Sequence, residues 1–383
     1  MATMNRKTLA VAAALLAAIL VAPFSAAARA AARIDIEYAR GFAVRQLAAA
    51  TLVTVSPPWM AGGRSRQYLL VERGRPVPPG FSQAKVIRVP VRRLVSLSTT
   101  RLAYLDAAGL TDRLVAVSDF RYVNTGSVRQ MIDSGRLHQV GHSLNLRIEA
   151  IMDLEPDLIL ATASGTAYDV HPKLEEAGLP VVIMCDHLES HPLGRCEWIK
   201  FMALFFGTGD HARRLFSQTK ARYLKLAAMA GRAANKPSVL TNAPFRGNWW
   251  VPGGNSFMAR YIADAGGAYL WADDRHTGSL AKDVEAVFEK GINADVWINT
   301  GAWKKVADAL AADPRLAQIK ALKQGRMFNN NRRLNRWGGN DFWESGIICP
   351  DRVLADLIRI FHPRLLPRHR LYYYRRLKTG KRP

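Results

Sequence analysis

The sequence predicts an α/β fold: two lobes with mainly parallel sheets, joined by one long interlobe α-helix and preceded by a small β-rich N-terminal extension. Three observations carry this. From Val91 onward, short unbroken apolar runs alternate with helical periods, the pattern of parallel strands covered on both faces. A single, much longer helical period interrupts that rhythm in mid-chain. Before Pro90 the runs are β-rich and broken by Pro and Gly instead.

Taken in order, Arg6 and Lys7 precede an apolar run over 9–21, closed by Pro23 and Ala28-Arg29-Ala30. A basic start, a short apolar stretch and a small-residue site predict a cleaved secretory signal peptide over 1–30, and so a periplasmic protein. No Cys follows the run, so a lipid anchor has no support. Residues 31–90 form the extension, with strand runs at 50–55 and 67–71. Residues 91–205 form the N-terminal lobe, with strands at 91–97, 114–118, 158–162 and 179–184 and helices at 101–109, 148–154 and 171–177. The linker helix spans 206–236, with Asp210 as a candidate cap and a stripe through Ala212, Phe216, Tyr223 and Ala230. The C-terminal lobe covers 237–363, with strands at 238–241, 295–299 and 326–329 and helices at 256–265, 284–290 and 352–361. Residues 364–383 hold basic side chains and no Asp or Glu, and read as a solvated or membrane-surface tail.

Composition narrows the classes. Apolar residues make up 49% of the 383, enough to close a core and exclude wholesale disorder. Three cysteines exclude a disulfide scaffold and leave open whether Cys185 and Cys196 pair. The formal charge of +23 would suit nucleic acid, but an export signal argues against that partner. Arg6, Lys7 and Arg29 leave with the signal peptide, and the remaining positive charge would steer an anionic ligand.

Three stretches carry a family resemblance: Arg93-Leu-Val-Ser-Leu-Ser-Thr-Thr-Arg-Leu-Ala-Tyr-Leu, Gly109-Leu-Thr-Asp-Arg-Leu-Val-Ala-Val-Ser118, and the segment from Val140 through Glu155-Pro-Asp-Leu-Ile-Leu-Ala161. With the long helix, the chain resembles the helical-linker class of ABC-transporter substrate-binding proteins, over roughly residues 86–363. That resemblance implies a protein without catalytic activity or cofactor, acting as a monomer. It would hold a metal chelate such as an iron–siderophore, cobalamin or haem between its lobes and deliver it to an inner-membrane permease. It also implies one exposed docking carboxylate per lobe, which fall on Glu149 and Glu285.

Cleft candidates follow strand ends, where ligands sit in open α/β sheets. Arg121, Tyr122 and Asn124 follow the second strand of the first lobe. Arg246, Trp249 and Trp250 lie in a Gly/Pro-bearing segment read as a loop, the paired Trp offering flat faces. Arg332, Arg333, Arg336, Trp337 and Trp343 occupy a later loop dense in donors. Two other readings stand beside this one. His138, His142, His171, His187 and His191 would suit direct binding of Zn or Mn. Ser96 or Ser98 with His142 would make a secreted hydrolase, although no G-x-S-x-G elbow is present.

Overall fold

The computed structural model describes residues 35–56, 65–142, 145–163 and 169–378, so the expected signal peptide lies outside the described residues. The extension is a four-stranded sheet, ordered β1 (Phe42–Gln46), β2 (Thr51–Val55), β3 (Arg66–Glu72), β4 (Lys85–Val89). The first three strands are antiparallel neighbours and β4 joins β3 in parallel. One face sends Val53, Val55, Tyr68 and Ile87 into the main core, while Leu52, Leu69 and Val71 form a small cluster on the other. Two carboxylates bolt its lead-in segment down. Glu197 accepts the backbone amides of Glu37, Tyr38 and Ala39 at 2.7–3.0 Å. Glu189 accepts those of Arg40 and Gly41 at 2.9 Å.

The first lobe carries β5 (Leu94–Ser96), β6 (Leu114–Val117), β7 (His138–Gln139), β8 (Leu158–Ala161) and β9 (Val181–Ile183), all parallel in the order β7-β6-β5-β8-β9. Its strands alternate with α1 (Leu102–Ala107), α2 (Gly126–Asp133), α3 (Ile148–Asp153) and α4 (His171–Glu176). Strands β5, β8 and β9 are buried at every residue, which is why they read as unbroken apolar runs. Helix α5 (Pro192–Leu204) follows, an element that no periodicity announces. Its first twelve residues are all buried, Arg195, Glu197 and Lys200 included, so it has no polar stripe to betray its period.

Helix α6 (Gly209–Gly231) has 23 residues and spans ~35 Å. It buries Ala212, Phe216, Tyr223 and Ala230. Thr208, not Asp210, stands at its cap position; Asp210 is in the first turn and pairs with Arg213. The second lobe contains β10 (Ser238–Thr241), β11 (Pro244–Phe245), β12 (Asn248–Pro252), α7 (Phe257–Asp264), β13 (Ala268–Tyr269), β14 (Ser279–Asp283), α8 (Val284–Gly291) and β15 (Val296–Ile298). It continues with α9 (Val306–Ala312), α10 (Lys320–Lys323), β16 (Met327–Asn329), α11 (Ser345–Ile348), α12 (Pro350–Phe361) and β17 (Arg375–Arg376). The main sheet runs β13-β10-β15-β16-β17, parallel except for the last strand, and β11-β12-β14 form a separate antiparallel sheet.

The basic tail is not a solvated segment through its described part. Strand β17 extends the main sheet, and Tyr373, Tyr374 and Leu377 are buried. Buried Asp356 of α12 accepts the amides of Tyr372, Tyr373 and Tyr374 at 2.7–3.0 Å, fixing the segment in place. Arg375 and Arg376 lie between buried Tyr374 and Leu377 and are two of the eight basic residues whose count suggested solvent.

Candidate functional site

Three neighbouring parallel strands of the second lobe end on asparagine or run directly into it: Asn242 after β10, Asn299 after β15, and Asn329-Asn330 at the end of β16. Asn242 and Asn299 turn the chain with φ of 62° and 60°, a region asparagine enters more readily than most residues. These turns open a cleft of about 810 Å³ at the carboxyl ends of the strands. Among the described residues the first lobe contributes His187 and Leu188 to its wall, from the segment after β9. The strand ends beside them are already filled. Buried Arg101 donates to the carbonyls of Ala161 and Met184 at 3.1 and 3.0 Å.

Aromatic rings make the rest of the wall. Phe245 and Trp250 come from the small antiparallel sheet, Phe257 from the start of α7, Trp303 from the turn after β15 and Trp343 from the turn before α11. The sequence candidates divide here. Trp250 and Trp343 line the cleft and remain 45% and 47% exposed. Trp249 does not, because residues 248–252 form a strand and adjacent side chains point to opposite faces. Its ring is fully buried 5.5 Å from Trp297, and its Nε1 donates to the Thr241 carbonyl at 3.0 Å.

The arginines are absent from the lining. Arg246 and Gly247 form the two-residue turn between β11 and β12, both with positive φ, so Arg246 sits exposed at a hairpin tip. Arg121 is tied to Asp119, whose carboxylate its guanidinium holds below the usual range against the opposing effect of burial. The Arg332 amide bonds the Tyr373 carbonyl, and Arg333 pairs with Asp341 over the Tyr372 ring, both toward the C-terminal segment.

The remaining candidates form a clasp between the lobes. Glu344, 2% exposed, accepts the backbone amides of Asn124 and Thr125 at 2.8 and 2.7 Å, the Asn124 side chain at 3.2 Å and the Thr125 hydroxyl. Asn335 donates to the carbonyls of Arg121 and Val123. Trp337 lies between the Arg129 and Arg336 guanidinium groups, 4.2 and 3.9 Å from its ring. Tyr122, at 49% exposed, rides on the clasped segment. Burial pushes the Glu344 carboxyl above 4.5, while the hydrogen bonds pull it back.

The five histidines of the direct-metal reading sit on five different segments and are not brought together in one set. His138 is exposed on β7, His142 is 3.9 Å from Asp119, His171 begins α4, His187 faces the cleft and His191 caps α5. Among the described residues no three His, Cys, Asp or Glu side chains form a set fit for a metal ion. Cys185, Cys196 and Cys349 are free thiols, so Cys185 and Cys196 are not bridged. Ser96 is fully buried and its hydroxyl donates to the Ser98 carbonyl at 2.9 Å, a poor setting for a nucleophile. Glu149 and Glu285 both stand exposed in the first turns of α3 and α8. Glu285 is held by Arg315 at 2.8 Å, whereas Glu149 has no ion pair among the described residues.

Sequence reasoning placed Asn330 and Asn340 in a candidate cleft loop but did not single out Phe245, Phe257, Trp303, Thr300, Asn242 or Asn299. The asparagines had a signal, recurring where successive parallel strands end. No helix among the described residues is long and apolar enough to cross a membrane. The profile of a family described as periplasmic binding protein matches residues 94–332. An uncharacterized lipoprotein of Methanocaldococcus jannaschii is 26% identical over 81% of this chain and 75% of its own. A vitamin B12-binding protein of Vibrio parahaemolyticus is 33% identical over 27% of this chain and 36% of its own. A periplasmic haem-binding protein of Pseudomonas aeruginosa superposes with a TM-score of 0.53 at 23% identity, over 71% of this chain and 93% of that one.

Proposed function

This chain belongs to the periplasmic binding protein family, and on that premise we propose that it is the solute-binding component of an ABC importer, carrying a metal chelate to an inner-membrane permease. The observation that supports this most is the cleft of about 810 Å³ walled by aromatic rings at the strand ends, the size and character of a small-molecule site. A vitamin B12-binding protein and a haem-binding protein stand among its relatives and structural neighbours, and both cargoes are metal chelates. The protein works as an exported monomer and catalyses nothing. Glu149 and Glu285 dock on arginines of the permease, and Glu285 exchanges Arg315 for its new partner. An exposed pair of this kind contributes little, being screened by solvent, so the exchange is cheap.

The protein isolated from its native host should carry a chelate, visible as absorption bands and as a mass. A bare metal ion or an ester-hydrolysing activity in its place would remove the reading. With the cargo identified, reversal of both charges (Glu149→Lys with Glu285→Lys) should abolish uptake while leaving cargo affinity unchanged. Normal uptake by the double variant would exclude these two docking points.

A further inference from the structure

The family leaves the charge of the cargo undecided, since cobalamin is neutral in its cyano form and haem carries propionates. The cleft wall is informative on this point. Among the described residues no Asp, Glu, Lys or Arg side chain lines it. Of the candidate arginines, Arg121 pairs with Asp119, Arg333 with Asp341 and Arg336 lies over Trp337, while Arg246 stacks 5.1 Å from Phe245 at the hairpin tip, outside the lining. An anionic group brought into such a wall would lose its water with no counter-charge to replace it. Burial also pulls the His187 pKa down, which disfavours the charged imidazolium there.

The polar groups that do face the cleft are of another kind. Asn242 is spent on the Trp250 carbonyl, Asn299 on Tyr374 and Met258, and Asn340 on capping Phe342. Two groups remain. The Asn330 side-chain amide has no protein partner among the described residues, although Asn330 is only 5% exposed. The Thr300 hydroxyl is buried without a partner on a residue of 0% exposure that lines the cleft. Native proteins rarely leave such groups unpaired. An amide and a hydroxyl are matched by neutral donors and acceptors, above all the amides and carbonyls of a ligand.

Resting on the importer reading, we infer that the cleft selects a chelate with no net charge and amide or carbonyl groups on its periphery, held between aromatic faces and recognised by Asn330, with the Thr300 hydroxyl buried just behind the wall. A corrinoid and a neutral ferric hydroxamate share this chemistry.

Trp250, Trp303 and Trp343 line the cleft, so tryptophan quenching can follow binding. The probes are cyanocobalamin and ferrichrome, both uncharged, against haemin and ferric enterobactin, both anionic. One neutral chelate should bind at least about 100-fold more tightly than either anion, the penalty expected for an uncompensated buried charge. Which neutral chelate binds distinguishes the corrinoid from the hydroxamate. Asn330→Ala should weaken that ligand about tenfold, and Asn330→Lys should lose it and gain haemin. Tighter binding of haemin or enterobactin by the wild type would overturn the charge inference and leave the importer reading standing. Failure of all four chelates to bind would overturn both.

Discussion

The His191 imidazole joins three parts of the chain. Its Nδ1 accepts the Leu193 amide at 3.0 Å at the start of α5, and its ring packs 4.8 Å from Tyr38 and 5.9 Å from Tyr223. Burial, helped by the charge of Arg260, pulls its pKa from 6.5 down to about 4. The unfolded chain therefore holds more protons than the folded one between those values, and stability rises with pH across that window. Thermal midpoints should fall as pH drops from 6.5 to about 4, and His191→Asn, which cannot take up that proton, should show a shallower fall. An identical slope in the variant would exclude His191 as a contributor. At this scale the sequence was a partial guide. It identified Trp250 and Trp343 as ligand-facing, but whether Trp249 or Trp250 faced out depended on reading residues 248–252 as strand. The Pro252-Gly253-Gly254 that follows made a loop the natural expectation.

At the scale of elements, both ends of the described chain are secured by buried carboxylates. Glu197 gathers three amides of the lead-in to the extension, and Asp356 gathers three ahead of β17, with His369 at 2.6 Å. A carboxylate at 0% exposure is tolerable only when its oxygens are filled this way. Asp356→Ala would strand three amides and should cost about 3–5 kcal/mol in urea unfolding. Limited proteolysis should then cut first near residues 370–378. A loss below about 1 kcal/mol would mean that β17 is held by its tyrosines instead. These anchors also mark where sequence reading stopped. A lone Asp in an amphipathic helix looks like a solvent-facing residue, and nothing nearby in sequence announces partners 16–18 positions on. Strands β1 and β4 were hidden likewise, because Arg45, Gln46, Lys85 and Arg88 interrupt their apolar pattern.

For the whole molecule, the framework was legible and the cleft was not. Buried parallel strands and one long amphipathic helix write themselves as local periods. The cleft draws on segments as far apart as residues 187 and 343, and its neutrality depends on where each arginine turns after the chain has folded. Net charge pointed to an anionic cargo, whereas side-chain pairing points to a neutral one.

The Glu344 clasp ties the lobes through protein contacts alone, with Asn340 and Trp343 of the same segment forming part of the cleft wall. Time then enters the account. If cargo is seated only once the clasp lets go, capture becomes a two-step event whose slow step belongs to the protein. In stopped-flow mixing, the observed rate should climb with cargo concentration and then level at a ceiling shared by different cargoes. Glu344→Gln, whose amide nitrogen can no longer accept a backbone N–H, should raise that ceiling severalfold. A wild-type rate that keeps rising in proportion to concentration would mean that the cleft fills with the clasp shut. If the ceiling holds, scarce cargo is collected at a pace set by diffusion and abundant cargo at a pace set by one carboxylate.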